Sequence, residues 1–430
     1  MTSEHTTEPT PRRMLTRRNF LVGTGAGAVI LLGGASQAAP TGVRGKLPPG
    51  LRTTGVPANV KQIALAVTDG WAGMPAGFAA IDPYFPDTLA PAPLDTYVFG
   101  FRDVTGLDRT QVMAQQGKAQ ICAPIMECTV GETLWVTLSN LGLLTRPDLV
   151  DSHTMHWHGF RNAIPFYDGV PETSVSVPIH RDFTYVFEPL DAGTYMYHCH
   201  FEDVEHVTMG MTGIVFVRPA GLANHAYDTT QYGVAANDTN FDREYSLLLT
   251  EFDLAGHWND AHIQVSDWTN YDPNVWLMNG RGYPDTLAPN TARGPGGEME
   301  VGANAHLQYQ PVSSRLVANP GDRVLVRLAN LGFQEQTLSM PGVPILSIGS
   351  DARYLTPDMQ TVSDTVVLGA GESRDLIIVA PATEGSYPFF NTDPSKYRGV
   401  PGDPWAGGQR TELFVSGAAA PQTAPNDWGL

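Results

Sequence analysis

From about residue 60 onward the chain alternates short β-rich apolar runs with Gly, Pro and Asp, a punctuation that predicts β-sandwiches rather than parallel α/β units. The runs also repeat. Val130-Gly131-Glu132-Thr133-Leu134-Trp135-Val136-Thr137-Leu138-Ser139-Asn140-Leu141-Gly142 returns as Asn319-Pro320-Gly321-Asp322-Arg323-Val324-Leu325-Val326-Arg327-Leu328-Ala329-Asn330-Leu331-Gly332, with Gly131 and Gly321 offset by 190. Arg181-Asp182 matches Arg374-Asp375, and Gly193-Thr194-Tyr195 matches Gly385-Ser386-Tyr387, in the same order and at nearly the same offset. An all-β chain with two tandem copies of one sandwich is therefore expected, over residues 60–218 and 243–417. Residues 219–242, rich in Ala, Asn, Asp and Thr, read as the linker.

Before the first sandwich the pattern changes. Thr16-Arg17-Arg18-Asn19-Phe20-Leu21 leads into an apolar, glycine-rich stretch that ends near Gly34, and small residues follow at Ala35, Ser36, Ala38 and Ala39. This reads as an export signal over residues 1–39, the paired arginines resembling the twin-arginine type. A membrane span would need ~20 clearly apolar residues, which this stretch lacks, so no membrane span is expected in the mature chain. Periplasmic or extracellular residence follows.

Composition narrows the function further. The chain has 430 residues, with 44 Gly and 34 Pro, and 26 Lys+Arg against 44 Asp+Glu give a net charge of −18. No basic run follows the first twenty residues, so nucleic acid and anionic membranes are poor partners and a cationic or neutral small molecule is a better one. Three cysteines do not make a disulfide scaffold. Cys122 and Cys128 would lie ~20 Å apart on an extended strand, although Pro124 allows a bend between them. Their pairing stays open.

The chemistry gathers in two clusters, His153-Thr154-Met155-His156-Trp157-His158-Gly159 and His198-Cys199-His200-Phe201-Glu202-Asp203-Val204-Glu205-His206, the second followed by Met209-Gly210-Met211. On a strand, alternate residues share a face, so His156 and His158 lie together, as do His198 and His200, with Cys199 turned the other way. The odd spacing from His153 to His156 directs His153 apart. A thiolate, two imidazoles and a thioether suit copper in a trigonal electron-transfer site, which selects His153, Cys199, His206 and Met211, with Met209 a poorer axial candidate. Zinc is the rival metal, but the clustered histidines exceed what one tetrahedral zinc uses. His180, His225, His257, His262 and His306 read as strand-end, surface or linker residues. Trp157 is expected to pack between the ligand faces, and Glu202, Asp203 and Glu205 to form a solvated loop that could attract a cationic reductant or relay protons.

With these motifs the chain resembles the two-domain multicopper oxidases of the small laccase type, related to the copper nitrite reductases. Leu277-Met278-Asn279-Gly280-Arg281 adds to the likeness. The resemblance implies cupredoxin-like Greek-key domains and a type 2/type 3-like copper centre, with type 2 copper at His156 and a type 3 pair at His158, His198 and His200. It also implies one-electron oxidation of a small-molecule or metal-ion reductant, electrons passing through Cys199, His198 and His200 to dioxygen. A homotrimer is implied too, each first domain set against the next subunit's second domain.

The second domain departs from that pattern. No histidine follows His306, and Phe390, Asn391 and Thr392 stand opposite His198, Cys199 and His200. Gln334 to Pro344 holds no His-x-His, and Thr392 also stands where a nitrite reductase would place a ligand. A non-enzymatic blue-copper carrier or copper-binding resistance protein therefore stays open beside the oxidase reading.

Overall fold

The computed structural model describes residues 60–422 except 76, 162–163, 236–238, 301, 303 and 397–406, together with residue 426. The segment expected to direct export lies outside them.

The first domain is built from β1 (Val60–Ala72), β2 (Thr96–Asp103), β3 (Met126–Thr129), β4 (Thr133–Asn140), β5 (His156–His158), β6 (Asp182–Phe187), β7 (Gly193–His198) and β8 (Thr212–Arg218). One sheet has the order β2-β1-β4-β6 and the other β3-β8-β7-β5. The second domain uses β9 (Arg243–Phe252), β10 (Val275–Met278), a small ribbon of β11 (Ala292–Arg293) and β12 (Met299–Glu300), then β13 (Leu316–Ala318), β14 (Arg323–Asn330), β15 (Gln336–Ser339) and β16 (Ile345–Ser350). It continues through β17 (Arg353–Tyr354), β18 (Thr361–Ser363), β19 (Thr365–Leu368), β20 (Ser373–Val379), β21 (Gly385–Asn391) and β22 (Arg410–Val415). Its sheets run β10-β9-β14-β20-β16-β17 and β13-β22-β21-β15-β19, so the first domain's order recurs strand for strand and is then extended.

Local sequence explains the recurrence. In β4 the alternation of Leu134, Val136 and Leu138 with Thr133, Trp135 and Thr137 buries one face of the strand. Gly131 and Gly321 each hold a left-handed φ, of 85° and 83°, in the turn that feeds β4 and β14. An L side chain rarely adopts that conformation. β7 is buried at every position, because Tyr195 and Tyr197 face the first core while Met196 packs with Leu248 and Ala329 of the second domain.

The two domains are also locked by charge. Arg327, fully buried on β14, donates to Glu244 at 2.6 Å and to Thr194 of β7 at 3.1 Å, and pairs with Asp375 at 3.4 Å. Tyr227 donates to the same Asp375 from within the stretch expected to be a linker, and Ala226, Tyr227, Thr229 and Thr239 are buried there. That stretch is a packed strap, because its aromatic and hydroxyl side chains reach the domain seam. Among the described residues no helix is long and apolar enough to cross a membrane.

Candidate metal centre

The first hydrophobic core contains the cluster. Cys199, Met209 and Met211 are fully buried among Phe99, Tyr97, Trp157 and Tyr185. Cys199 follows β7 directly, and His153 is held by paired backbone bonds with Val177 at 3.1 and 2.7 Å. His206 comes from α2 (Asp203–Thr208), one of three short α-helices among the described residues, with α1 (Arg109–Met113) and α3 (Leu254–Ala261). Cys199 Sγ lies 3.3 Å from His206 Nδ1 and 3.8 Å from His153 Nδ1. Met211 closes the arrangement: its carbonyl accepts from Cys199 N at 3.3 Å, and its N–H donates to His206 O at 2.9 Å.

The electrostatics suit a thiolate. Thr154 N–H points at Sγ from 3.4 Å, a donor that stabilises negative sulfur. Burial, then neighbouring His206, pushes His153 well below the usual imidazole range, keeping it neutral as a ligand must be. At His206 burial opposes charge but is outweighed by Cys199 and Asp151, which lift it to about 10. A neutral His153 ring, the Cys199 sulfur, the His206 ring once a metal has displaced its Nδ1 proton, and the Met211 thioether in the same core are the donor set that copper takes, so the residues fit that metal.

The second set lies on the other face of the same strand. β5 and β7 pair so that His156 stands opposite His198, which brings both rings to one side. Ring centroids are 5.3 Å apart for His156–His198, 5.1 Å for His156–His200, 5.5 Å for His198–His200 and 6.2 Å for His158–His198. His156 Nδ1 meets Asp168 O at 2.7 Å and His198 Nδ1 meets Cys199 O at 2.8 Å. Each Nδ1 must donate to its carbonyl, which leaves Nε2 with a lone pair for a metal. Burial pushes His198 down to about 3 and lowers His156 and His158 as well, so these rings are neutral. The chain's own second domain lies against His158, with Gly371 at its ring edge, but contributes no imidazole there.

The remaining residues sort by burial. Trp157 is fully buried and stacks on Phe187 with centroids 4.1 Å apart. Cys122 and Cys128 are both free and buried. His257, expected at the surface, is buried: Nδ1 donates to Tyr97 O at 2.6 Å, because α3 packs against β2. His262 and His306 pair with Asp87 at 2.9 Å and Asp285 at 3.0 Å. Glu202, Asp203 and Glu205, expected as a solvated loop, cap and open α2; Glu202 and Asp203 are exposed, and a Glu202 carboxylate oxygen lies within 4.8 Å of a His206 ring nitrogen. Thr154, Asp168, Asp151 and Asp260 were not singled out from sequence. Only the position of Asp151, two residues before His153, offered a signal.

The family comparison agrees with the geometry. Residues 102–221, a stretch that includes every one of these clustered side chains, match the family model described as multicopper oxidase. The chain carries a multicopper oxidase domain. Among its relatives, Laccase-15 of Oryza sativa subsp. japonica is 26% identical over 280 residues, covering 64% of this chain and 40% of the relative. Multicopper oxidase MmcO of Mycobacterium tuberculosis is 25% identical over 273 residues, covering 60% and 46%. The chain thus spans less than half the length of these curated relatives. Among solved structures, a blue copper oxidase from Nitrosomonas europaea superposes with a TM-score of 0.57 at 20% identity, covering 83% of this chain and 86% of that one. A copper nitrite reductase from the same organism gives 0.53 at 16% identity, covering 86% and 98%. These likenesses establish the cupredoxin-type fold.

Beside the multicopper oxidase domain, the second domain keeps the frame and replaces the donors. Ser339 pairs with Phe390 as His156 pairs with His198, and Phe390 pairs with Arg410 as His198 pairs with Thr212. By that register Asn391, Gln336 and Gln409 stand where Cys199, His153 and Met211 stand in the first domain. Asn391 Nδ2 donates to Gln336 Oε1 at 2.7 Å and to Gln409 Oε1 at 2.9 Å. The buried Lys396 ammonium donates to the same Gln336 oxygen at 3.0 Å and to Glu335 O at 2.6 Å. Amides and an ammonium thus fill the position with satisfied hydrogen bonds.

Proposed function

We propose that the chain is an exported copper-dependent oxidoreductase, oxidising a small-molecule or metal-ion reductant one electron at a time at the Cys199 site. His153, Cys199, His206 and Met211 would hold the first copper, and His156, His158, His198 and His200 a second centre. Copper supplies the one-electron couple when bound. Cys199 carries the reading, since its sulfur faces one donor set while His198 Nδ1, bonded to its carbonyl oxygen at 2.8 Å, belongs to the other. The chain's own residues keep the first site dry, hold both imidazole sets neutral or paired, and join them through one residue. Dioxygen is the terminal acceptor in this reading.

The test is metal analysis with oxygen uptake and visible absorption on purified protein. An intense visible band from the thiolate–copper bond is expected, and Cys199→Ser should abolish it. A colourless oxidised, copper-loaded wild type would overturn the reading. A second reading, a blue-copper carrier, is favoured by the amide and ammonium network that replaces donors in the second domain. About one copper per chain without oxygen uptake would select it.

Two further parts of the proposal rest on sequence. Export by the twin-arginine route predicts a mature N-terminus near residue 40 in a periplasmic or extracellular fraction, lost with Arg17→Lys and Arg18→Lys. A homotrimer would cover the open side of His156 and His200, and a monomer by solution scattering would remove it.

A further inference from the structure

The sheet that runs β2-β1-β4-β6 buries one face and opens the other. Leu65, Val67, Leu134, Val136 and Leu138 pack in the first core, so the alternate residues of β1 and β4 point outward. Pairing sets these outward residues in three rows. Gln62 and Val186 flank Trp135, Ala64 and Thr184 flank Thr137, and Ala66 and Asp182 flank Ser139. Val104, Leu107 and Val112 pack on Ala66 and roof part of the third row. The other two rows stay open as a groove of about 760 Å3, bordered by Thr105, Arg109 and Tyr167. It continues past α1 into a hollow of about 350 Å3 that shares Arg109, Ser139 and Asp182 and reaches the exposed His180.

The floor of this groove is graded in size and polarity. A large ring in the first row stands beside small side chains in the second, and that step makes the hollow. Trp71 and Trp157 stack on Tyr97 and Phe187. Trp135 is only half-buried, and among the described residues no ring stacks on it and no group accepts from its indole N–H. Beside it, Gln62 Oε1 is buried without a hydrogen-bond partner. The Thr137 and Thr184 hydroxyls meet at 2.9 Å, an exchange that uses one proton and leaves the other free to donate. Asp182, half-buried at the end of the floor, has no ion pair among the described residues.

We propose that this groove binds a neutral saccharide chain. A pyranose has apolar C–H faces and a rim of hydroxyls, so one sugar stacks on the Trp135 indole while its neighbours turn hydroxyls to Thr137, Thr184 and Asp182. Successive rows lie two residues apart along each strand, about 7 Å, a step that one sugar ring can span. Charge points the same way: the chain carries −18, but Arg109 and Asp182 cancel within the groove, so a charged polymer finds no excess of opposite charge there. A wholly apolar guest would bury the hydroxyls and the carboxylate unpaired. A peptide strand would need the main-chain groups of a sheet edge, whereas this floor presents side chains. The first core lies between the groove and Cys199, so the site anchors the protein to a polymer without touching the clustered histidines.

The test is isothermal titration of the purified, copper-loaded protein with cellohexaose, xylohexaose, maltohexaose and N-acetylchitohexaose. At least one should bind wild type with a dissociation constant below about 1 mM. Trp135→Ala should weaken that binding about tenfold or more, and Asp182→Asn about tenfold, with far-ultraviolet circular dichroism unchanged. If Trp135→Ala does not fold, Trp135→Leu and Asp182→Asn read the same loss. A wild type that binds none of these sugars, or variants that bind them as tightly as wild type, would overturn the site. Equal affinity for polygalacturonate would overturn its neutral character. Tryptophan emission that shifts with a hydroquinone and with none of the sugars would overturn the ligand class.

Discussion

Lys396 tests whether the second domain's copper position has been given over to structure. Its ammonium is 5% exposed and donates to Gln336 Oε1 at 3.0 Å and Glu335 O at 2.6 Å, while Gln336 Nε2 in turn donates to Glu251 at 3.2 Å. Lys396→Met keeps the length of the stem and removes the donor. Gln336 Oε1 retains Asn391, but Glu335 O loses its ammonium and Glu251 loses a nearby positive charge. An orphaned buried acceptor costs about 1–3 kcal/mol, and the lost attraction adds to it. Against this stands relief for the amine, which burial holds below its usual range. The net expected loss is about 1–3 kcal/mol, or a fall in melting temperature of about 2–12 °C at ~2–4 °C per kcal/mol. Thermal unfolding followed by far-ultraviolet circular dichroism reads the shift, and the visible band should be unchanged before the transition. A melting temperature that holds or rises would refute the argument, showing that the buried ammonium costs more than its hydrogen bonds return.

The histidine face predicts that His156→Ala/His158→Ala lowers copper content while the visible band stays, measured by metal analysis. Arg327→Met removes the buried guanidinium from Glu244 and Asp375 and should destabilise the chain by about 3–5 kcal/mol, read by denaturant unfolding. Burial lifts Asp95 to about 6 against the opposing Met74 N–H and Thr96 hydroxyl. Its folded value lies above the unfolded one, so the native state binds the proton more readily, and the stability this provides is present below about pH 4 and lost as pH rises through 6. Asp95→Asn should therefore flatten that slope and add about 1–3 kcal/mol at pH 7, checked by unfolding at both ends of the window.

What could be read from sequence follows from which forces are local. Strand alternation places His156 with His158 and turns Cys199 away from His198, because a period of two needs no tertiary information. The glycine turns at 131 and 321 mark the repeat for the same reason: one residue type satisfies a left-handed φ. Burial of His257 was invisible, since it depends on α3 crossing from the second domain to meet β2, a contact spanning 160 positions to Tyr97. Asp260 escaped notice because it reaches the His206 neighbourhood on that same helix. The packed strap around Tyr227 was read as a linker because polar composition does not show that Tyr227 and Asp375, far apart in sequence, meet at the seam.

The comparison of the two domains explains why one fold can keep or discard a metal. Both positions lie where a strand end, a facing strand and a returning loop converge, and the sheet register that brings them together is the same in each. Backbone pairing therefore supplies the convergence, and side chains alone decide what fills it. In the first domain His153 and His206 turn Nδ1 toward the Cys199 sulfur, at 3.8 and 3.3 Å, so that soft donors converge on one point. In the second, Asn391 and Lys396 supply donors and Gln336 and Gln409 acceptors, so the demand is met within the chain. Satisfied polar groups need no ion, whereas imidazole nitrogens gathered around one sulfur give a copper ion something to act on.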